Sequence, residues 1–179
     1  MKPRIIMTVL SVVLVVFAGV VGYFWLTRAA GVFNPEDEVQ AGNVAPDFSV
    51  QLLTGETFTL SEQIGTVVVL DFWATWCGPC VAKMPIMQAL SEQFGESVTF
   101  VGVNVGEPQS RVQAFIDERG FTFPVGVDER GYIHRYLYPS PGIPYMVVIN
   151  RQGLITATFL GGGQDMKALY EAAILDALR

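Results

Sequence analysis

Both cysteines of the 179-residue chain lie in one pentapeptide, Trp76-Cys77-Gly78-Pro79-Cys80. The stretch Thr66-Val67-Val68-Val69-Leu70-Asp71-Phe72-Trp73 precedes it, short and apolar as a strand buried on both faces is. Beyond the pentapeptide, Val81, Met84, Met87, Leu90 and Phe94 fit helical spacing, which predicts a helix from about Gly78 to Phe94. Pro85 removes an amide donor inside that helix and is expected to kink it. The fold must therefore carry a dithiol at a strand-to-helix junction. There the free amides and the dipole of a helix N-terminus favour a thiolate over a thiol.

The remaining pattern gives an α/β domain with a mixed sheet. Phe48 to Leu52 and Glu56 to Leu60 flank Thr54-Gly55, a hairpin signal. Val98 to Asn104 is a second buried strand. A helix capped by Ser110 should follow, with Val112, Phe115 and Ile116 inward and Gly120 at its end. Phe123 to Val127 reads as a short strand and Tyr132 to Leu137 as a weak helix. Tyr145 to Ile149 and Leu154 to Leu160 flank the turn Asn150-Arg151-Gln152-Gly153. A last helix is expected from Asp165, with Met166, Leu169, Tyr170, Ala173, Ile174, Ala177 and Leu178 on one apolar stripe.

The N-terminus has a different character. Ile5 to Leu26 contains no charged residue, and its length suits a hydrocarbon core of roughly 30 Å. Tyr23, Phe24 and Trp25 stand where an aromatic belt would lie, and Lys2 and Arg4 precede the span. We read residues 1–27 as a single-pass membrane anchor, or an uncleaved signal, with the N-terminus cytoplasmic. A cleaved signal peptide is the competing reading, against which stands the length of the apolar run. Residues 28–43 then form a linker, and residues 44–179 the folded domain outside the cytoplasm. The net charge of −6 and the lack of a Lys/Arg cluster argue against a nucleic-acid partner.

Three chemistries compete for the cysteines. Zinc needs about four ligands, and only His134 remains among the soft ones. A purely structural disulfide across two residues would fix almost no chain entropy. Dithiol–disulfide exchange is the reading these residues favour.

The run Phe72-Trp73-Ala74-Thr75-Trp76-Cys77-Gly78-Pro79-Cys80 resembles the thioredoxin active site. Ala45-Pro46-Asp47-Phe48, Val101-Gly102-Val103-Asn104-Val105, Phe123-Pro124-Val125 and Gly142-Ile143-Pro144 extend the resemblance to the membrane-anchored TlpA/ResA-type thiol-disulfide oxidoreductases. It covers about residues 44–178 and implies a thioredoxin fold with an N-terminal hairpin extension. It also implies roles. Cys77 would attack as a thiolate, and Cys80 would resolve the mixed disulfide. Gly78 and Pro79 would set the turn and tune the potential. Asp71 matches a buried aspartate that exchanges a proton with the inner cysteine, burial raising its pKa into a useful range. Ile143-Pro144 matches the cis-proline loop that faces the cysteines and pairs with substrate backbone. Trp76 would belong to the recognition surface, Trp73 to the packing. His134 is expected to be a surface or partly packed histidine.

Two positions depart from the pattern. Lys83 stands where these proteins often carry glutamate, and Tyr145 follows Pro144 where thioredoxin has threonine. An ammonium near the site would favour thiolate by Coulomb attraction. The resemblance implies a monomer without cofactor. Its substrates would be disulfides of exported proteins, as in cytochrome c maturation, and its electrons would come from a membrane thiol carrier of the CcdA/DsbD type. A disulfide-forming oxidant, a thiol peroxidase and a redox-inactive docking module are the alternatives. The Gly-Pro dipeptide argues against the first. Ala74, where peroxiredoxins place threonine, argues against the second, and retention of both cysteines against the third.

Overall fold

The computed structural model describes residues 39–163 and 166–179. The expected anchor, most of the linker and the expected helix start at Asp165 lie outside the described residues. Among the described residues no helix is long and apolar enough to cross a membrane.

A small antiparallel hairpin, β1 (Ser49–Gln51) and β2 (Thr57–Thr59), pairs Val50 with Phe58. The main sheet has the order β5-β4-β3-β6-β7, with β3 (Val67–Trp73) in the middle. β3 pairs in parallel with β4 (Val98–Val105) and antiparallel with β6 (Tyr145–Ile149). β5 (Val125–Asp128) runs parallel to β4, and β7 (Ile155–Leu160) antiparallel to β6. Among the described residues the α-helices are α1 (Gly78–Phe94), α2 (Gln109–Arg119) and α3 (Lys167–Ala177). The sheet is mixed and the elements are those of a thioredoxin-like domain.

Side chains alternate across a strand, and β3 divides the core accordingly. Val67, Val69 and Trp73 join one apolar cluster with Met84, Met87 and Leu90 of α1, Val112 and Ile116 of α2, and Tyr170 and Ile174 of α3. Val68, Leu70 and Phe72 join a second cluster with Val50, Phe58, Ile133 and Tyr138. Every residue of β3 is buried, as strands covered on both sides must be. The hairpin sits close: a Cβ at Gly126 of β5 would lie 2.6 Å from Val50 Cγ1.

Several local expectations change. α2 is capped at Pro108 without a side-chain bond, so Ser110 lies inside the helix rather than ahead of it. A proline there already gives the extended backbone that a helix start needs. Gly120 ends α2 in the left-handed conformation, φ 68°. The weak helix is a single π-turn, Ile133–Leu137, held at its start by Asp128, whose carboxylate accepts the amides of Tyr132 and Ile133. α1 holds Pro85 inside its span. On α3, Tyr170, Ile174 and Ala177 are buried but Leu169 is exposed. One residue is about 100° of rotation, which carries Leu169 past the edge of a stripe centred on Tyr170. Ahead of β1, Val39 is buried, and the Gly42 and Ala45 amides donate to the Ile155 and Gly153 carbonyls. Packing thus already includes residues ahead of Val44.

Candidate active site

β3 stops at Trp73, the chain turns over three residues, and Cys77 caps α1 with extended backbone. Cys77 and Cys80 form a disulfide with Cα atoms 5.2 Å apart. The Cys80 amide donates to Cys77 Sγ at 3.2 Å. Gly78 and Pro79 fill the first turn, where a proline loses no helical bond. An anion on Cys77 would therefore meet a free amide and the positive end of the helix dipole. Cys77 keeps 5% exposure and Cys80 none, so an incoming disulfide can reach only the first sulfur.

The Ile143–Pro144 bond is cis, and the Ile143 carbonyl oxygen lies 3.7 Å from Cys77 Sγ. The two predicted segments, 66 residues apart in the chain, are thus brought together. The Pro144 carbonyl accepts the Gly161 amide at 2.8 Å, tying the loop to the end of β7. On its other side Ser140 Oγ donates to the Gly142 carbonyl at 2.7 Å, and His134 Nε2 lies 2.9 Å from the same hydroxyl. The serine proton is engaged with Gly142, so His134 Nε2 carries the hydrogen of that second bond. His134 is half-buried against Phe72, and burial holds its pKa below the ordinary histidine value. It is a partly packed histidine that also braces the proline loop. Tyr145 lies buried below, its ring stacked 6.2 Å from Phe72. Trp76 is 68% exposed beside Cys77, whereas Trp73 is buried and packs on Phe115 at 5.5 Å.

Asp71 stands two residues before the end of β3. It is buried, and Lys83 Nζ donates to its Oδ1 at 2.5 Å from an equally buried position on α1. Lys83 follows Cys80 by three residues, and such positions share a helix face. Lys83 thus turns inward to the predicted aspartate. Burial pushes the Asp71 pKa up, and the Lys83 ammonium pulls against it with smaller effect. Tyr170 borders the pair, its ring centroid 5.8 Å from Lys83 Nζ. Burial and the Asp71 charge push the Tyr170 phenol up to about 12. Gly162 closes the pocket: a Cβ there would stand 3.1 Å from Lys83 Cδ and 3.4 Å from Pro144 Cγ.

One residue of this neighbourhood gave no signal in the sequence. Glu107, just past β4, is buried and accepts from the Thr75 amide (2.7 Å), the Thr75 hydroxyl (2.5 Å) and Asn104 Nδ2 (2.9 Å). In sequence it is only an acidic residue in a Gly-Glu-Pro turn, the usual place for a solvated charge. Among the described residues no three His, Cys, Asp or Glu side chains gather as a metal site.

The chain is similar to known proteins. The profile of the Redoxin family matches residues 40–174. The thiol-disulfide oxidoreductase ResA of Geobacillus thermodenitrificans is 32% identical over 162 residues, 90% of this chain and 91% of its own. The thioredoxin-like protein YneN of Bacillus subtilis is 35% identical over 126 residues, 69% of this chain and 73% of its own. A DsbE-type thiol:disulfide interchange protein from Chlorobium tepidum superposes with a TM-score of 0.74 at 33% identity, over 79% of this chain and 99% of that one. The chain therefore belongs to the Redoxin family, and within it to the thioredoxin-like thiol-disulfide oxidoreductases of the TlpA/ResA type.

Proposed function

We propose that this oxidoreductase is a membrane-tethered reductant of disulfides in exported proteins. The observation that carries the reading is the asymmetry of the two sulfurs. Cys77 caps a helix and faces the Ile143 carbonyl, while Cys80 is sealed on the helix face that also bears Lys83.

In the forward direction the Cys77 thiolate attacks one sulfur of a substrate disulfide. A Cys77–substrate bond forms, the substrate S–S bond breaks, and the other substrate sulfur leaves as a thiolate that takes its proton from water. Cys80 then attacks Cys77 Sγ as a thiolate, closing the internal disulfide and releasing the second substrate sulfur as a thiolate that is protonated by water. Two electrons pass to the substrate. Asp71 accepts the Cys80 proton for the second step, and Lys83 holds that carboxylate in place. Gly142, Ile143 and Pro144, with the exposed Trp76, offer the surface on which substrate backbone lies.

The Gly-Pro dipeptide favours the reducing direction, being the form found in thioredoxin, whose potential is about −270 mV. The uncharged run Ile5 to Leu26 behind Lys2 and Arg4 supports a tether with the domain on the outer side. A membrane thiol carrier of the CcdA/DsbD type would return the internal disulfide to the dithiol. Apocytochrome c is the client class that the family resemblance suggests.

Trapping tests the reading. Cys80→Ser in the full-length protein should accumulate mixed disulfides through Cys77, which mass spectrometry of the membrane fraction would identify. Trapping by Cys77→Ser instead would reverse the two roles. No trapping by either variant would end the exchange reading, and a domain shielded from externally added protease in intact cells would end the tether topology.

A further inference from the structure

We infer that Glu107 is a positioning residue for the nucleophile, its buried carboxylate clamping Thr75 and thereby fixing Trp76 and Cys77 against the proline loop. The inference rests on the exchange reading above and deepens it.

The connection from β3 to α1 is only Ala74, Thr75 and Trp76, and its local backbone bond is a single one, from the Cys77 amide to the Ala74 carbonyl at 3.2 Å. The Thr75 amide and hydroxyl both turn away from the helix to Glu107, which stands 32 residues later on the neighbouring strand's exit. Glu107 is itself held by Asn104 Nδ2, and Arg111 Nη1 approaches from solvent at 3.9 Å. A carboxylate is costly to bury unless its oxygens are bonded, and here both are. Hydrogen bonds to a charged acceptor are also the shorter and stronger kind. Two of the three end on the residue two positions before Cys77. Their consequence is aim. Catalytic geometry is unforgiving, and a displacement of about 1 Å in a reacting group can lower a rate on the order of a hundredfold.

The charge and the clamp can be separated. A glutamine at 107 can keep all three bonds in one orientation. Its carbonyl oxygen takes the Thr75 and Asn104 N–H groups, and its amide donates to a turned Thr75 hydroxyl.

The test uses the reduced full-length protein in detergent, measuring the rate of insulin disulfide reduction and the pH profile of Cys77 alkylation by iodoacetamide. Glu107→Ala should slow reduction about tenfold or more and alter the alkylation profile while circular dichroism still reports a folded domain. Glu107→Gln should rescue most of that loss, and Thr75→Val, which removes one bond to the clamp, should fall between. A Glu107→Ala protein with the wild-type rate and profile would overturn the inference, as would a Glu107→Gln protein as slow as the alanine variant. Should Glu107→Ala fail to fold, Thr75→Val decides, and an unchanged profile there overturns the clamp. A wild-type protein that reduces nothing would instead remove the exchange reading, and the clamp with it.

Discussion

Lys83 and Asp71 meet in a sealed pocket, so the same contact governs stability and proton transfer. With the disulfide closed neither cysteine titrates, which leaves Asp71 as the buried acid beneath the site. Its folded pKa is raised, so the folded state holds the proton more tightly than the unfolded chain. That stability is fully present below the ordinary aspartate value and is lost as pH rises through the folded pKa. Urea titrations of the oxidised protein should show this decline, and Asp71→Asn should flatten it. Removing one charge alone is the damaging change. Lys83→Met should destabilise the domain by about 3–5 kcal/mol if the pair is ionised, whereas replacing both partners by apolar residues should be close to neutral. Lys83→Met should also move the acid limb of the exchange profile to higher pH, because Asp71 loses the cation that favours its ionised form. Stopped-flow reduction across pH would show the shift. Cys77, Cys80 and Pro144 were legible in the sequence, because residue type and order along the chain specify them. The Lys83–Asp71 contact was not. It depends on how far α1 rolls over β3: the sequence puts an ammonium near the site, and only the docked helix makes Asp71 its partner.

At the level of elements, periodicity was a good guide to existence and a weaker one to edges. β3, α1 and β4 came out within a residue or so of their expected spans, since long buried runs and repeated inward positions leave little choice. Ser110 misled because serine is a favoured cap, yet the extended proline before the helix took the position. Leu169 misled because a seven-residue stripe on a short helix is wider than the groove it fills. The π-turn at Ile133–Leu137 had no periodic signal, being held by Asp128 rather than by its own pattern. The hairpin makes a sharper prediction. Val50 is β-branched and cannot swing aside easily, so Gly126→Ala should force β1 outward at about 1–3 kcal/mol. Thermal unfolding would record the loss, and disulfide exchange should continue, since the hairpin lies in the other apolar cluster from the cysteines.

Across the whole molecule, the class of fold followed from the alternation of strands and helices, but strand order did not. Pattern alone says that β3 and β6 are buried; only the assembled sheet says that they are neighbours. The central position of β3 predicts a hierarchy of opening. Amides of Val67–Trp73 should exchange with solvent only through global unfolding, while those of the β1–β2 hairpin should exchange through local opening. Native-state hydrogen exchange would separate the two. The same pairing also orders events during synthesis. Residues 68–72 find one partner in β4 soon after it emerges, but the other edge waits for residues 145–149. Long-range pairings form slowly because loop closure precedes any contact that rewards it. Until β6 arrives, Val67-Val68-Val69-Leu70 presents an open apolar edge of the kind that seeds intermolecular strand pairing. The strand that carries the redox pair into place is thus also an aggregation hazard of the nascent domain, and a chaperone guarding that domain would have reason to cover residues 67–70.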